Sequence, residues 1–185
     1  MKIVSLLLVF TLLCGCTAGD KETQMVTDFR QDLLMAKGCT FDTSILTDYG
    51  DMIYQFEMSC QMDSEGAVEF TVTSPETISG ISGTVGATGG HFDFEETILA
   101  FPVLANGQAA PVTAPWIFLN SLRSGYIVGC GREGEGYRIS VDDSYEENPL
   151  HLEITTDDQL TPNHCDIYCD GRRILNLEIK AFQIQ

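Results

Sequence analysis

From Met52 onward the chain changes polarity every residue. Met52, Tyr54, Phe56, Met58, Cys60 and Met62 alternate with Ile53, Gln55, Glu57, Ser59 and Gln61. A period of two puts all the apolar side chains on one face of an extended strand and fits no helix. The pattern returns at Val68–Val72, Phe92–Phe94, Tyr126–Cys130, Tyr137–Val141, Leu150–Ile154, Cys165–Cys169 and Leu175–Ala181. Ser64-Glu65-Gly66, Ser74-Pro75-Glu76 and Asp170-Gly171 punctuate it as turns. Ile98–Leu104 is mixed and contains Pro102, which places it at an edge or a bend. Nine or ten short amphipathic strands joined by tight turns make an antiparallel sheet with one wet face.

Two stretches keep a helical period instead. Val26, Phe29, Leu33 and Ala36 recur at helical spacing over residues 24–37, and Gly38 follows as a stop. Trp116–Arg123 forms a second helix, framed by Pro115 at its first turn and Gly125 past its end. Two helices of this length cannot cover a flat sheet of such width. The sheet must either curl around them or divide into two stacked layers.

The N-terminus is an export signal by its pattern. Lys2 precedes the run Ile3–Leu13, in which only Ser5 and Thr11 are polar, too short a run to span a bilayer as a mature helix. Leu13-Cys14-Gly15-Cys16 resembles the lipobox cut by lipoprotein signal peptidase. The resemblance implies removal of residues 1–15 and acylation of Cys16, whose lipid chains would hold the protein on the membrane. The alternative is an ordinary cleaved signal peptide followed by a fortuitous cysteine. Thr17 is not aspartate, so the sequence gives no inner-membrane retention signal. The expected division is a lipoprotein signal peptide (1–15), a flexible lipidated tether (16–23) and a single domain (24–185). The expected location is the outer, extracytoplasmic face of a bacterial cell membrane.

Charge narrows the partners. Ten Lys and Arg face 27 Asp and Glu, a net charge of −17 that argues against nucleic acid and against anionic lipid surfaces. The acids are spread along the chain and read as a solvated exterior. Of seven cysteines, Cys14 leaves with the signal and Cys16 takes lipid. The remaining five are odd in number, so at least one is unpaired within the chain. Cys39 and Cys60 lie symmetrically about Asp48-Tyr49-Gly50-Asp51 and would face each other in a hairpin centred there, as a disulfide or as buried reduced thiols.

No stretch carries catalytic chemistry. There is no nucleophile elbow, and Gly129, Gly131, Gly134 and Gly136 do not join a strand to a helix as a phosphate cradle requires. Within His164–Cys169, Cys165 and Cys169 on one strand would stand about 13 Å apart, too far for one metal ion. Asp142-Asp143 and Asp157-Asp158 lack a loop of alternating oxygen ligands. His91 and His151 fall on the wet face. We expect no enzyme, no metal and no cofactor.

Several stretches together resemble the LolA/LolB-like superfamily of envelope lipoproteins and carriers, closest to its Gram-positive and spore-former members. They are the N-terminal helix, the long hairpin ending in Tyr54-Gln55-Phe56-Glu57-Met58, Val68–Glu76, a turn at Gly80-Ile81-Ser82-Gly83, the helix Trp116–Arg123 and the late run of hairpins. The resemblance implies a mainly β (α+β) fold: a strongly curved antiparallel half-barrel with helices packed on its concave face. It also implies a cavity for a lipid or a lipidated, hydrophobic ligand, with Met52, Tyr54, Phe56, Met58, Phe70, Phe92, Trp116 and Phe118 as lining candidates. Taken singly, each of these residues reads first as plain core. An anchor at Cys16 departs from a soluble carrier and brings in an alternative, a non-enzymatic scaffold docking on a cell-envelope or spore-cortex enzyme.

Overall fold

The computed structural model describes residues 18–48, 53–94, 97–105 and 108–185. The residues on which the expected signal peptide, lipobox and acylated Cys16 fall, and Met52, lie outside them. Helix α1 (Ala18–Met35) leads into β1 (Cys39–Asp48), β2 (Ile53–Met62), β3 (Val68–Ser74), β4 (Ser82–Gly86), β5 (Gly89–Phe94) and β6 (Thr97–Phe101). A short hairpin of β7 (Leu104–Ala105) and β8 (Gln108–Ala109) precedes helix α2 (Ala114–Ser124). The chain closes with β9 (Tyr126–Glu133), β10 (Gly136–Asp142), β11 (His151–Thr156), β12 (Pro162–Cys169) and β13 (Arg172–Ile184).

Eleven of these strands form one antiparallel sheet in the order β6-β5-β4-β3-β2-β1-β13-β12-β11-β10-β9. Every neighbour is a sequence neighbour except β1 and β13, which join the two runs of hairpins. The C-terminus is tied in further: Lys37 donates its N–H to the Gln185 carbonyl at 3.0 Å, and Gln185 returns one to Gly38 at 2.9 Å. The β12–β13 turn is the one the sequence marks. Asp170 (φ 50°) and Gly171 (φ 72°) both take the left-handed conformation that a two-residue hairpin turn needs.

The sheet curls because its strands are irregular. Register shifts occur in the β1–β13, β2–β3, β9–β10, β11–β12 and β12–β13 pairings. Each extra residue bends its strand and steepens the local twist. At β1–β13 two residues, Ala181 and Phe182, stand opposite Phe41 alone, with Ala181 at φ 51°. Of the two arrangements left open by the alternation, the single curled sheet is the one adopted.

Two sequence expectations change. Residues 18–23, expected as flexible tether, are the first turns of α1. Asp20, Lys21 and Glu22 are polar there and give no apolar period, but nothing in them opposes a helix. Cys39 and Cys60 are buried reduced thiols, the second of the two alternatives, but they do not face each other. The β1–β2 register pairs Cys39 with Met62 and Phe41 with Cys60, because the hairpin is centred one residue later than the symmetry argument assumed.

Candidate functional site

The concave face is built from alternate residues of every strand. Phe41 and Ile45 of β1, Phe56, Met58, Cys60 and Met62 of β2, and Val68, Phe70 and Val72 of β3 form one wall, all buried. Ile139, Leu152, Ile154, Ile167, Leu175 and Leu177 form the other, also buried. Across this hollow lies α2. Pro115 sits in its first turn, and the Gly125 N–H caps it by donating to the Ser121 carbonyl at 2.8 Å. Ile117, Phe118, Leu119 and Leu122 are all buried, so the helix is apolar on nearly every side, as a helix inside a core must be. Phe118 is 0% exposed and meets Phe41 edge-to-face at 6.0 Å.

Helix α1 locks α2 in place. It buries Val26 and Leu33, with Phe29 packed alongside, and lies against α2 and β9. Arg30 donates from Nε to the Leu122 carbonyl at 2.6 Å and from a terminal nitrogen to the Ser121 carbonyl at 3.5 Å. A cation on the last carbonyls of α2 satisfies acceptors the helix leaves open and complements its dipole. Burial pulls the Arg30 pKa below its ordinary value.

Most of the lining candidates are therefore packed core. Phe56, Met58, Phe70 and Phe118 are buried, and Trp116 and Phe92 are half-buried against them. Tyr54 is 46% exposed, near the turn end of the β1–β2 hairpin. Surface cavities of about 280–630 Å³ lie on the outer face or at the sheet edge; Phe70 touches one and Met58 another, each among polar residues, and these cavities are not lined by Phe56, Phe92, Trp116 or Phe118.

Beyond the reach of α2 the concave face stays apolar. Phe70, Phe92 and Phe101 step outward across β3, β5 and β6, with ring centroids 5.9 Å and 4.6 Å apart. Two glycines make room for them. A Cβ on Gly83 would lie 2.9 Å from the Phe70 ring, and one on Gly90 would lie 2.5 Å from the Phe101 ring. Opposite Phe92, Leu99 is 56% exposed. A hollow of about 630 Å³ opens at this margin between Gly89, Gly90, Phe101 and Pro102.

The outer face carries the polar chemistry. His151 is held between Asp142 (Nδ1 to Oδ1, 2.7 Å) and Glu153 (Nε2 to Oε1, 2.8 Å). Burial opposes its charge, but hydrogen bonds to these two carboxylates outweigh that and raise its pKa above the ordinary 6.5. Glu153 also accepts the Ser140 hydroxyl at 3.0 Å. Ser140 is thus tied to the same carboxylate that holds His151, and the imidazole also lies beside the Tyr168 ring, centroids 6.1 Å apart. His164 lies 3.4 Å from Asp166 and near Asn176, on the opposite face from buried Cys165. Among the described residues no three His, Cys, Asp or Glu side chains gather as a metal site. Asp157 is occupied in its own turn, accepting the N–H groups of Gln159 and Thr161.

The interior thiols are inert by environment. Burial pushes the Cys39 thiol up to about 11 and raises Cys60 and Cys165 well above the ordinary thiol range. Cys130 and Cys169 are half-exposed.

Sequence reasoning passed over the Arg30 clamp, since a lone arginine on a helix gives no pairing signal. It also read the charge as uniform. In fact no Lys or Arg occurs between Lys37 and Arg123, while eleven Asp and Glu do. Strands β1 to β6 thus form an arm of the sheet with acids and no strong base.

The sequence matches no protein family and no curated protein. Solved structures resemble it in fold. A DUF1329 family protein from Desulfovibrio piger aligns at TM-score 0.51 and 8% identity over 91% of this chain and 94% of its own. A domain assigned to outer-membrane lipoprotein sorting from Vibrio parahaemolyticus aligns at 0.50 and 7% over 90% and 93%. A LolA superfamily protein from Nitrosomonas europaea gives 0.48 and 7% over 89% and 93%. The chain has the LolA-like fold, a single curved, open antiparallel sheet around helices.

Proposed function

We propose that the mature chain is a membrane-anchored, extracytoplasmic, non-enzymatic adaptor that docks on another protein of the cell envelope. The observation that carries this reading is the closed packing between α2 and the sheet: Phe118 is fully buried against Phe41, and Phe56, Met58 and Phe70 are buried on the strands, which fills the space between helix and sheet that a carrier would keep for its ligand. The leader and Cys16 supply the anchor, and an anchored protein with a filled interior acts through its surface. A second reading is favoured by the apolar margin at Phe92, Leu99 and Phe101, where Leu99 is exposed and the two rings half-buried: the concave wall takes an acyl chain once α2 shifts. Native mass spectrometry of the purified mature chain, with organic extraction of what accompanies it, separates the two. The adaptor reading expects an apo mass from folded protein. A stoichiometric acyl-chain mass overturns it and identifies the ligand class.

A further inference from the structure

An open sheet has two edges, and here they are treated differently. The β9 edge is protected. Helix α1 lies against it, with Thr23 Oγ1 3.4 Å from Cys130 Sγ. A register shift leaves Val128 as an extra residue, and Arg132 and Glu133 add charge at the strand's end. These are the usual defences of an unpaired edge: cover, bulge and charge. Among the described residues strand β6 has no strand or bulge on its outer side, and the nearest charge, Glu95-Glu96, stands before it in the sequence and not within it. Its sequence Thr97-Ile98-Leu99-Ala100-Phe101 is uncharged, and its pairing with β5 runs without a shift. Among the described residues it pairs with β5 alone, and Pro102 comes only after it ends.

We infer that the β6 edge is the docking site, and that it takes an extended, basic segment of the partner as a twelfth strand. The inference rests on the adaptor reading. An unpaired strand edge offers backbone donors and acceptors in register, and alternate side chains of an added strand find flanking pockets. On the concave side those side chains would meet Leu99 and Phe101; beside the turn they would meet the hollow at Gly89 and Gly90. Charge selects the occupant. The arm that ends in β6 carries acids and no Lys or Arg of its own; Arg123 reaches it only at the β2–β3 turn, on the Ser64 carbonyl, so the β6 side repels a second copy of itself and attracts a cationic strand.

The test uses the mature chain and two short synthetic peptides, one alternating lysine with valine and one alternating glutamate with valine. Hydrogen exchange followed by mass spectrometry reads where each binds. The lysine peptide should slow amide exchange in residues 97–101, bind more weakly as salt rises, and leave β9 unchanged; the glutamate peptide should not bind. Leu99→Lys, at an exposed position, should keep the fold and weaken the lysine peptide by about tenfold or more. Protection appearing only elsewhere, equal binding of both peptides, or no binding overturns the inference. So does a concentration-dependent dimer abolished by Leu99→Lys, which would make the occupant a second copy. An apo mass with any of these results leaves the adaptor reading standing and removes only the edge. A co-purifying lipid removes the adaptor reading itself.

Discussion

Replacing Phe118 by alanine tests whether α2 is a fixed plug or a lid over an open cavity. The ring is fully buried between the two walls of the curled sheet and packs edge-to-face on Phe41. Its removal forfeits transfer energy, the ring pair and the contacts around a new void. Buried Phe→Ala changes cost about 3–5 kcal/mol, and a site enclosed on all sides belongs at the upper end, about 4 kcal/mol. With an m-value of about 2 kcal/mol per molar urea, the unfolding midpoint should fall by about 2 M. Trp116, on the same helix but half-buried, is the internal comparison, and Trp116→Ala should cost about half as much. Urea titration followed by circular dichroism measures both. If Phe118→Ala costs under about 1 kcal/mol with m unchanged, the ring is not packed as described. The concave space would then be open, and the lipid-carrier reading would replace the adaptor.

Four further outcomes follow from other parts of the molecule. Arg30→Ala should destabilise by about 1.5 kcal/mol, because it uncovers the last carbonyls of α2, and Arg30→Lys should restore part of that; urea midpoints measure it. The Thr43 hydroxyl is buried without a partner, so Thr43→Val should be neutral or stabilise by up to about 1 kcal/mol, and a loss beyond that would reveal a hidden bond. The His151 ring is more basic folded than unfolded, so its contribution is complete below about pH 6.5 and fades as pH rises through its raised folded value. His151→Gln should therefore flatten the pH dependence of the urea midpoint above that point. Iodoacetamide should label Cys130 and Cys169 in the native chain and spare Cys39, Cys60 and Cys165 until unfolding, as peptide mass spectrometry reads directly.

The alternation after Met52 specified which side chains face inward, and Pro115 and Gly125 bounded α2 closely, because both signals are local. Register is not local. Cys39 and Cys60 are buried thiols, as one alternative had it, but they miss facing each other by a single residue in the hairpin's centre, since composition around Asp48–Asp51 marks a turn without fixing its length. The first turns of α1 were missed because periodicity detects only the face a helix buries.

Function was harder to read for a related reason. Methionines and aromatics alternating on a strand look the same whether they line a cavity or pack a core. What decides is a helix placed across them by pairing of β1 with β13, residues more than a hundred positions apart. The same long-range pairing makes β6 an edge strand. Its five uncharged residues would be unremarkable in the middle of a sheet, where neighbours on both sides satisfy the backbone. Placed last in the order and next to an arm without Lys or Arg, they become the part of the molecule best suited to receive another chain.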